Sequence, residues 1–217
     1  MKKPIGILFD LDGTLLDTAP EFTVCLNNFL RAQKKPEVSM EKLRPYVSKG
    51  ARGMCKFGFP DLNNEQFESI LQAFLTHYLQ YLGQQTQLFV GVVDIIQTLV
   101  KDNIPWGIVT NKHERFAVPL IKQFETLSSA SIIVGGDTTP ELKPSPKPLL
   151  HAALALNVPA EQCWYIGDAK TDVDASKAAG MRSAIANYGY LPPDEDAQSW
   201  QADRYIDTPK DLLQFIL

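Results

Sequence analysis

The sequence predicts an α/β fold in which a doubly wound parallel sheet carries a helical insert. Three observations predict it. Short apolar segments recur along the chain and end in Gly or polar residues, as buried parallel strands do. Amphipathic stretches of helical period separate them. One long helical stretch then interrupts the alternation near the start. Alternating strands and helices build an open sheet with helices on both faces, a Rossmann-like core.

Taken in order, Ile5–Phe9 is the first strand and runs into the turn DLDGT. From about Asp17 to Gly83 there is helix after helix and no strand. Pro20 is placed to start one helix after Thr18, and Asn64–Leu82 supplies another with Phe67, Ile70, Leu71, Phe74, Leu75 and Tyr78. The expected division is a catalytic core of residues 1–16 and 84–217, with residues 17–83 as a helical cap domain that depends on its host. Val92–Asp102 places Val92, Ile95, Ile96 and Leu99 on one helical face. Strands follow at Trp106–Thr110, Ile132–Gly135, Trp164–Gly167 and Ser183–Ala186, with helices at Pro148–Asn157 and Thr171–Gly180. Gly180 is the expected helix C-cap. The proline-rich KPSPKP at Lys143–Pro148 is too short for a linker and lies between a strand and a helix.

Composition narrows the function. With 217 residues, 45% hydrophobic, the chain can bury a real core. Its 25 acidic and 21 basic residues give a net charge of −4 without a basic tract, which argues against a nucleic-acid partner. Cys25, Cys55 and Cys163 have no paired or zinc-binding spacing and read as reduced thiols of a cytoplasmic protein. The N-terminal MKKPIGILFDLDGT is too short in its apolar run for a signal peptide. No stretch approaches the roughly 20 apolar residues that span a bilayer, so a soluble protein is expected.

Candidate chemistry gathers beyond the strand ends, where open α/β sheets place their ligands. Asp10 and Asp12 leave the first strand on the same side, and Gly13 permits the turn. Two carboxylates so close suit a nucleophile beside a proton donor. Thr110 and the following Asn111 end another strand, where a hydroxyl and a main-chain N–H can hold a phosphoryl oxygen. Lys143 offers a fixed ammonium, with Lys147 as a weaker alternative. Asp168 and Asp172 follow Trp164–Gly167 in GDAKTD and suit a hard cation such as Mg²⁺. Singly, these residues also read as an Asp-Gly turn, a Thr-Asn turn, a solvated lysine and helix N-caps. Their shared position and order favour one phosphoryl site. Ionised Asp10, Asp168 and Asp172 against Lys143 leave a charge of −2, which would repel a phosphate dianion until one Mg²⁺ neutralises it. In the insert, SKGARG at Ser48–Gly53 offers Lys49 and Arg52 beside a helix expected to begin near Ala51. That suits a second anionic group on the substrate; solvated surface charges are the bland alternative.

FDLDGTLLDT, VTN, the Lys143 loop and GDAKTD resemble, in order, the four motifs of the haloacid dehalogenase-like phosphatases over essentially the whole chain. Within that superfamily the chain is similar to the phosphoglycolate phosphatase group. SKGARGM, PWGIVTNKHERFAVPLI and the late YGY and SWQAD stretches add a likeness to N-acetylmuramic acid 6-phosphate phosphatases. The resemblance implies that Asp10 attacks phosphorus and that Asp12 protonates the leaving oxygen and then activates water. It implies that Thr110 and the Asn111 backbone hold the phosphoryl group beside Lys143. It implies Mg²⁺ bound by Asp10, the Asp12 carbonyl and Asp168, with Asp172 through water or from behind. Ala169 departs from a serine common at its position. The expected substrate is a small phosphorylated metabolite and the expected state a monomer or weak homodimer. A phosphomutase of the same superfamily remains chemically open. A receiver-like signalling protein, the rival from another class, carries its acceptor aspartate on a middle strand and needs no cap.

Overall fold

The computed structural model describes residues 5–216. Strand β1 (Gly6–Phe9) leads through the DLDGT turn to the two-residue β2 (Leu16–Asp17), and four helices follow: α1 (Ala19–Ala32), α2 (Met40–Val47), α3 (Gly50–Gly58) and α4 (Asn64–Tyr81). The chain returns through β3 (Gln87–Leu88), which pairs antiparallel with β2. It then alternates: α5 (Val92–Lys101), β4 (Trp106–Val109), α6 (Glu114–Ile121), β5 (Ile132–Val134), α7 (Lys147–Ala155), β6 (Cys163–Gly167), α8 (Lys170–Ala179), β7 (Arg182–Ala186), β8 (Arg204–Ile206) and α9 (Leu213–Ile216).

The main sheet has six parallel strands in the order β5-β4-β1-β6-β7-β8. Period-two alternation divides its side chains between two cores. Ile7 and Phe9 pack with Val92, Ile95, Ile96 and Leu99 of α5 and with α6, while Leu8 packs with α7 and α8 on the opposite face. Each fully buried aliphatic side chain of α5 contributes about 1.5–3 kcal/mol. The helices α1–α4 have a core of their own, from Phe22, Leu26, Met54, Phe74 and Tyr78, joined by Phe116 and Tyr190 from outside the segment.

Local chemistry sets several boundaries. Asn63 and Gln66 form a capping box at α4, with N–H to side-chain oxygen distances of 3.0 and 3.3 Å. Gly180 ends α8 in the left-handed conformation, as expected. Asn157 adopts a positive φ of 57°, so α7 stops before it rather than including it. The strand β8 and the helix α6 have no counterpart in the sequence reading. Arg204–Ile206 is a short, half-exposed edge strand, and Pro119 sits inside α6 where a proline argues against helix. All three cysteines are buried and unpaired. Among the described residues no helix is long and apolar enough to cross a membrane.

Candidate active site

Strands β4, β1 and β6 are neighbours, and Phe9 lies level with Ile108 on one side and Ile166 on the other. The residues one or two steps beyond, Asp10, Thr110 and Asp168, therefore emerge together. The chain runs outward from β1 through β4 to β5 and then crosses back to β6, so this is the sheet's topological switch point. A cavity of about 580 Å³ opens there, between the strand ends and the helices α1, α3 and α4.

Asp10 is held through one oxygen. Its Oδ1 accepts from Leu11 N–H at 2.8 Å and from Lys143 Nζ at 3.1 Å, and it lines the cavity. Burial pushes its carboxyl up to about 6; Lys143 opposes that shift and Asp172 adds to it. Lys143 is no solvated loop lysine, being 3% exposed. Its ammonium reaches Asp172 Oδ1 (2.7 Å), Tyr165 Oη (2.6 Å) and the Val109 carbonyl (3.2 Å) besides Asp10. Burial alone would lower its pKa, but Asp10 and Asp172 outweigh it and hold the ammonium charged. Lys147, by contrast, is exposed and paired with Glu141.

Asp172 stands behind this centre. One oxygen takes Lys143; the other accepts the N–H groups of Asp168 (3.1 Å) and Ala169 (2.9 Å), the acidic half of a capping box at α8. Ala169 has no side-chain acceptor to reciprocate. Asp168 is buried, and its Oδ2 accepts Tyr190 N–H at 2.7 Å. Burial, then the charges of Asp10 and Asp172, push its carboxyl well above the usual range. Gly13 makes the close approach possible: its φ is +83°, and a Cβ there would sit 2.1 Å from Asp168 Oδ2.

Asp10, Asp168 and Asp172 each offer a carboxylate oxygen within 4.8 Å of the others. An all-oxygen, all-acidic set suits a hard divalent cation. Two carboxyls held above their ordinary pKa are what such a cluster has when one ammonium must balance several acids. Asp172 already has both oxygens committed, which leaves Asp10 and Asp168 as the side chains free to reach an ion.

The remaining site residues divide by partner. Thr110 Oγ1 accepts Lys112 N–H at 3.2 Å, so the hydroxyl proton is left to donate elsewhere. The Asn111 side chain makes a reciprocal pair with the main chain of Lys143, 3.0 Å in each direction, and so pins the lysine loop. Asp12 is paired through both oxygens with Lys112 Nζ. Lys49 and Arg52 line the cavity from the start of α3, which begins at Gly50. The Arg52 guanidinium is engaged by Glu68 at 2.6 and 3.1 Å and is largely exposed, while Lys49 Nζ rests 5.2 Å from the Tyr46 ring centre.

Sequence reasoning missed Lys112, Tyr165 and Tyr190. Lys112 adjoins a motif but carries no signal of its own, and Tyr165 reads as an ordinary strand residue. Tyr190 does three things: its N–H holds Asp168, its hydroxyl accepts the N–H groups of Thr18 (2.6 Å) and Ala19 (3.0 Å), and it donates to Asp17 at 2.9 Å. It thereby caps α1 from across the fold, where Thr18 makes no side-chain cap.

The family model of haloacid dehalogenase-like hydrolases matches residues 7–186. A phosphoglycolate phosphatase of Xanthomonas campestris pv. campestris is 43% identical over 212 residues, covering 98% of this chain and 96% of the relative. An N-acetylmuramic acid 6-phosphate phosphatase of Pseudomonas putida is 34% identical, covering 97% of this chain and 95% of its own. The crystal structure of a predicted phosphoglycolate phosphatase from Haemophilus somnus superposes with a TM-score of 0.89 at 24% identity, over the full length of both chains. With its strand-end acids and lysine at the switch point and a family match running from β1 through β7, the chain belongs to the haloacid dehalogenase-like hydrolase family.

Proposed function

We propose that the chain is a Mg²⁺-dependent phosphatase that passes the phosphoryl group of a small phosphomonoester to Asp10 and then to water. The observation that carries this reading is the Asp10 carboxylate. One oxygen is held by Leu11 N–H and Lys143, and the residue lines a cavity that Thr110 and Asp168 share.

In the first half-reaction the free Asp10 oxygen attacks phosphorus and the bond to the leaving oxygen breaks. Asp12 gives that oxygen its proton. Thr110 Oγ1–H and the Asn111 N–H donate to the phosphoryl oxygens, and Lys143 offsets their charge. In the second half-reaction Asp12, now ionised, takes a proton from water as the water oxygen attacks phosphorus. Asp10 leaves as a carboxylate and inorganic phosphate is released. Mg²⁺, held by Asp10, Asp168 and the Asp12 main-chain carbonyl, would supply charge neutralisation at the phosphoryl group. Asp172 acts from behind, fixing Lys143 and the turn that carries Asp168.

Residues 17–83 serve as the cap that closes over the leaving group, with Lys49 and Arg52 toward its anionic end. Phosphoglycolate and N-acetylmuramic acid 6-phosphate, the substrates in the names of the Xanthomonas and Pseudomonas relatives, both carry a carboxylate. A cavity of about 580 Å³ accommodates either. The test is a phosphate-release screen over phosphorylated sugars and short acids, with and without EDTA. Release that stops in chelator and returns with Mg²⁺ supports the reading. Full activity in EDTA removes the metal from it, and isomerisation of a sugar phosphate without release makes the protein a mutase.

A further inference from the structure

Lys112 is the second buried ammonium at the mouth of the sheet. Its side chain is 6% exposed, and its Nζ lies 3.0 and 3.1 Å from the two oxygens of Asp12, whose side chain is 19% exposed. The same nitrogen is 4.7 Å from the ring centre of Phe22 on α1 and 4.9 Å from that of Tyr78 on α4. Those rings stack on each other with centres 4.5 Å apart and planes at 25°. The ammonium therefore rests against the flank of an aromatic pair rather than between the rings. Two faces of the contact come from the helical segment and the third from the carboxylate that leaves β1.

We propose that Lys112 is the positioning residue of Asp12, and that it holds the carboxylate in place only while α1 and α4 are docked on the sheet. The inference rests on the phosphatase reading, in which Asp12 moves the proton. An aspartate at a turn has rotamers that swing its carboxylate out toward solvent. Contact with a single donor group removes that freedom: the ionised carboxylate accepts through both oxygens, and when one oxygen carries the proton for the leaving group the other still accepts from the ammonium, while the aromatic flank keeps water from competing for it. Lys112 also fixes the neighbouring phosphoryl donor, because its main-chain N–H donates to Thr110 Oγ1 at 3.2 Å. The side-chain contact is thus the link that makes the proton-transfer group depend on the helices above it. If α1 and α4 lift, Lys112 loses its apolar wall, water reaches the ion pair, and Asp12 is free to turn away.

Lys112→Met tests this in the full-length chain, since the methionine keeps an unbranched stem against Phe22 and Tyr78 but has no ammonium. Leaving-group departure is the step that needs Asp12 as an acid, and kcat/KM reports it. For an alkyl phosphate, kcat/KM should fall at least about tenfold more than for p-nitrophenyl phosphate, whose leaving group needs little protonation. A merely structural role would lower both alike. Tyr78→Leu, which leaves the ammonium but strips half its aromatic wall, should give the same signature at smaller size; it decides the matter if Lys112→Met does not fold. Asp12→Asn is the reference. If Asp12→Asn discriminates between the two substrates while Lys112→Met and Tyr78→Leu lower both equally or not at all, Lys112 does not position Asp12. If the wild type releases phosphate from neither compound, the phosphatase reading fails and this inference falls with it.

Discussion

Lys143→Met replaces the ammonium that four oxygens surround. The wild-type cluster places Asp172 at 2.7 Å and Asp10 at 3.1 Å from Nζ, with both partners' side chains largely out of water at 2% and 14% exposure. Removing one member of such a buried pair leaves its partners charged and unpaired, a cost of about 3–5 kcal/mol. In a chain of this size each kcal/mol moves the melting temperature by about 2–4 °C, so Lys143→Met should melt about 6–20 °C below the wild type. The melts are followed by circular dichroism in EDTA, so that no added cation can substitute for the ammonium. Mg²⁺ should then recover more stability in the variant than in the wild type, and Asp172→Asn added to Lys143→Met should restore part of the loss by removing one of the stranded charges. Phosphatase activity should stay low in all these variants. A melt within about 2 °C of the wild type in EDTA would refute the reasoning, because it would mean that the cluster tolerates its acids without the lysine.

Four further variants probe individual residues. Gly13→Ala forces a left-handed φ on an L-residue, at about 1–2 kcal/mol, and drives a Cβ to within 2.1 Å of Asp168 Oδ2. Titration of activity with Mg²⁺ should show an apparent affinity about 10–100-fold weaker. Tyr190→Phe strips the acceptor from the buried N–H groups of Thr18 and Ala19, and urea unfolding should record a loss of about 1–3 kcal/mol. Lys49→Ala should lower kcat/KM for a carboxylated substrate by about tenfold more than for an uncharged aryl phosphate. Arg52→Ala should do so less, because Glu68 already occupies its guanidinium.

The sheet and the line of acids at its edge were legible because each strand is a short apolar run followed by a polar residue or glycine. Asp10, Thr110 and Asp168 sit where that reading put them, and Lys143 joins them, although a lysine before Pro144 has no sequence feature that tells a buried ammonium from a solvated one. Its burial is decided by Asp172, Tyr165 and the Asn111 side chain, which lie 29, 22 and 32 residues away. The Asp12–Lys112 pair spans 100 residues and Tyr190's bond to Thr18 spans 172. Such contacts are products of the topology, and neither spacing nor periodicity encodes them. The same holds for Arg52: the residues beside it in sequence suggest an anion site, and the partner that occupies it, Glu68, comes from the next helix. Strand β8 escaped for a local reason, since an edge strand with one buried side chain in three leaves no apolar run to read.

The central claim is that phosphorus is bonded to Asp10 between substrate and product. It is tested most directly by acid-quenching Asp12→Asn within a single turnover of radiolabelled p-nitrophenyl phosphate in Mg²⁺, because that leaving group departs without the proton Asp12 would give. That variant lacks the base that hydrolyses the intermediate, so label should accumulate on the protein, map to the peptide that contains Asp10, and be discharged by hydroxylamine as an acyl phosphate is. Release of labelled phosphate at a steady rate, with no label on that peptide at any quench time, would contradict the account.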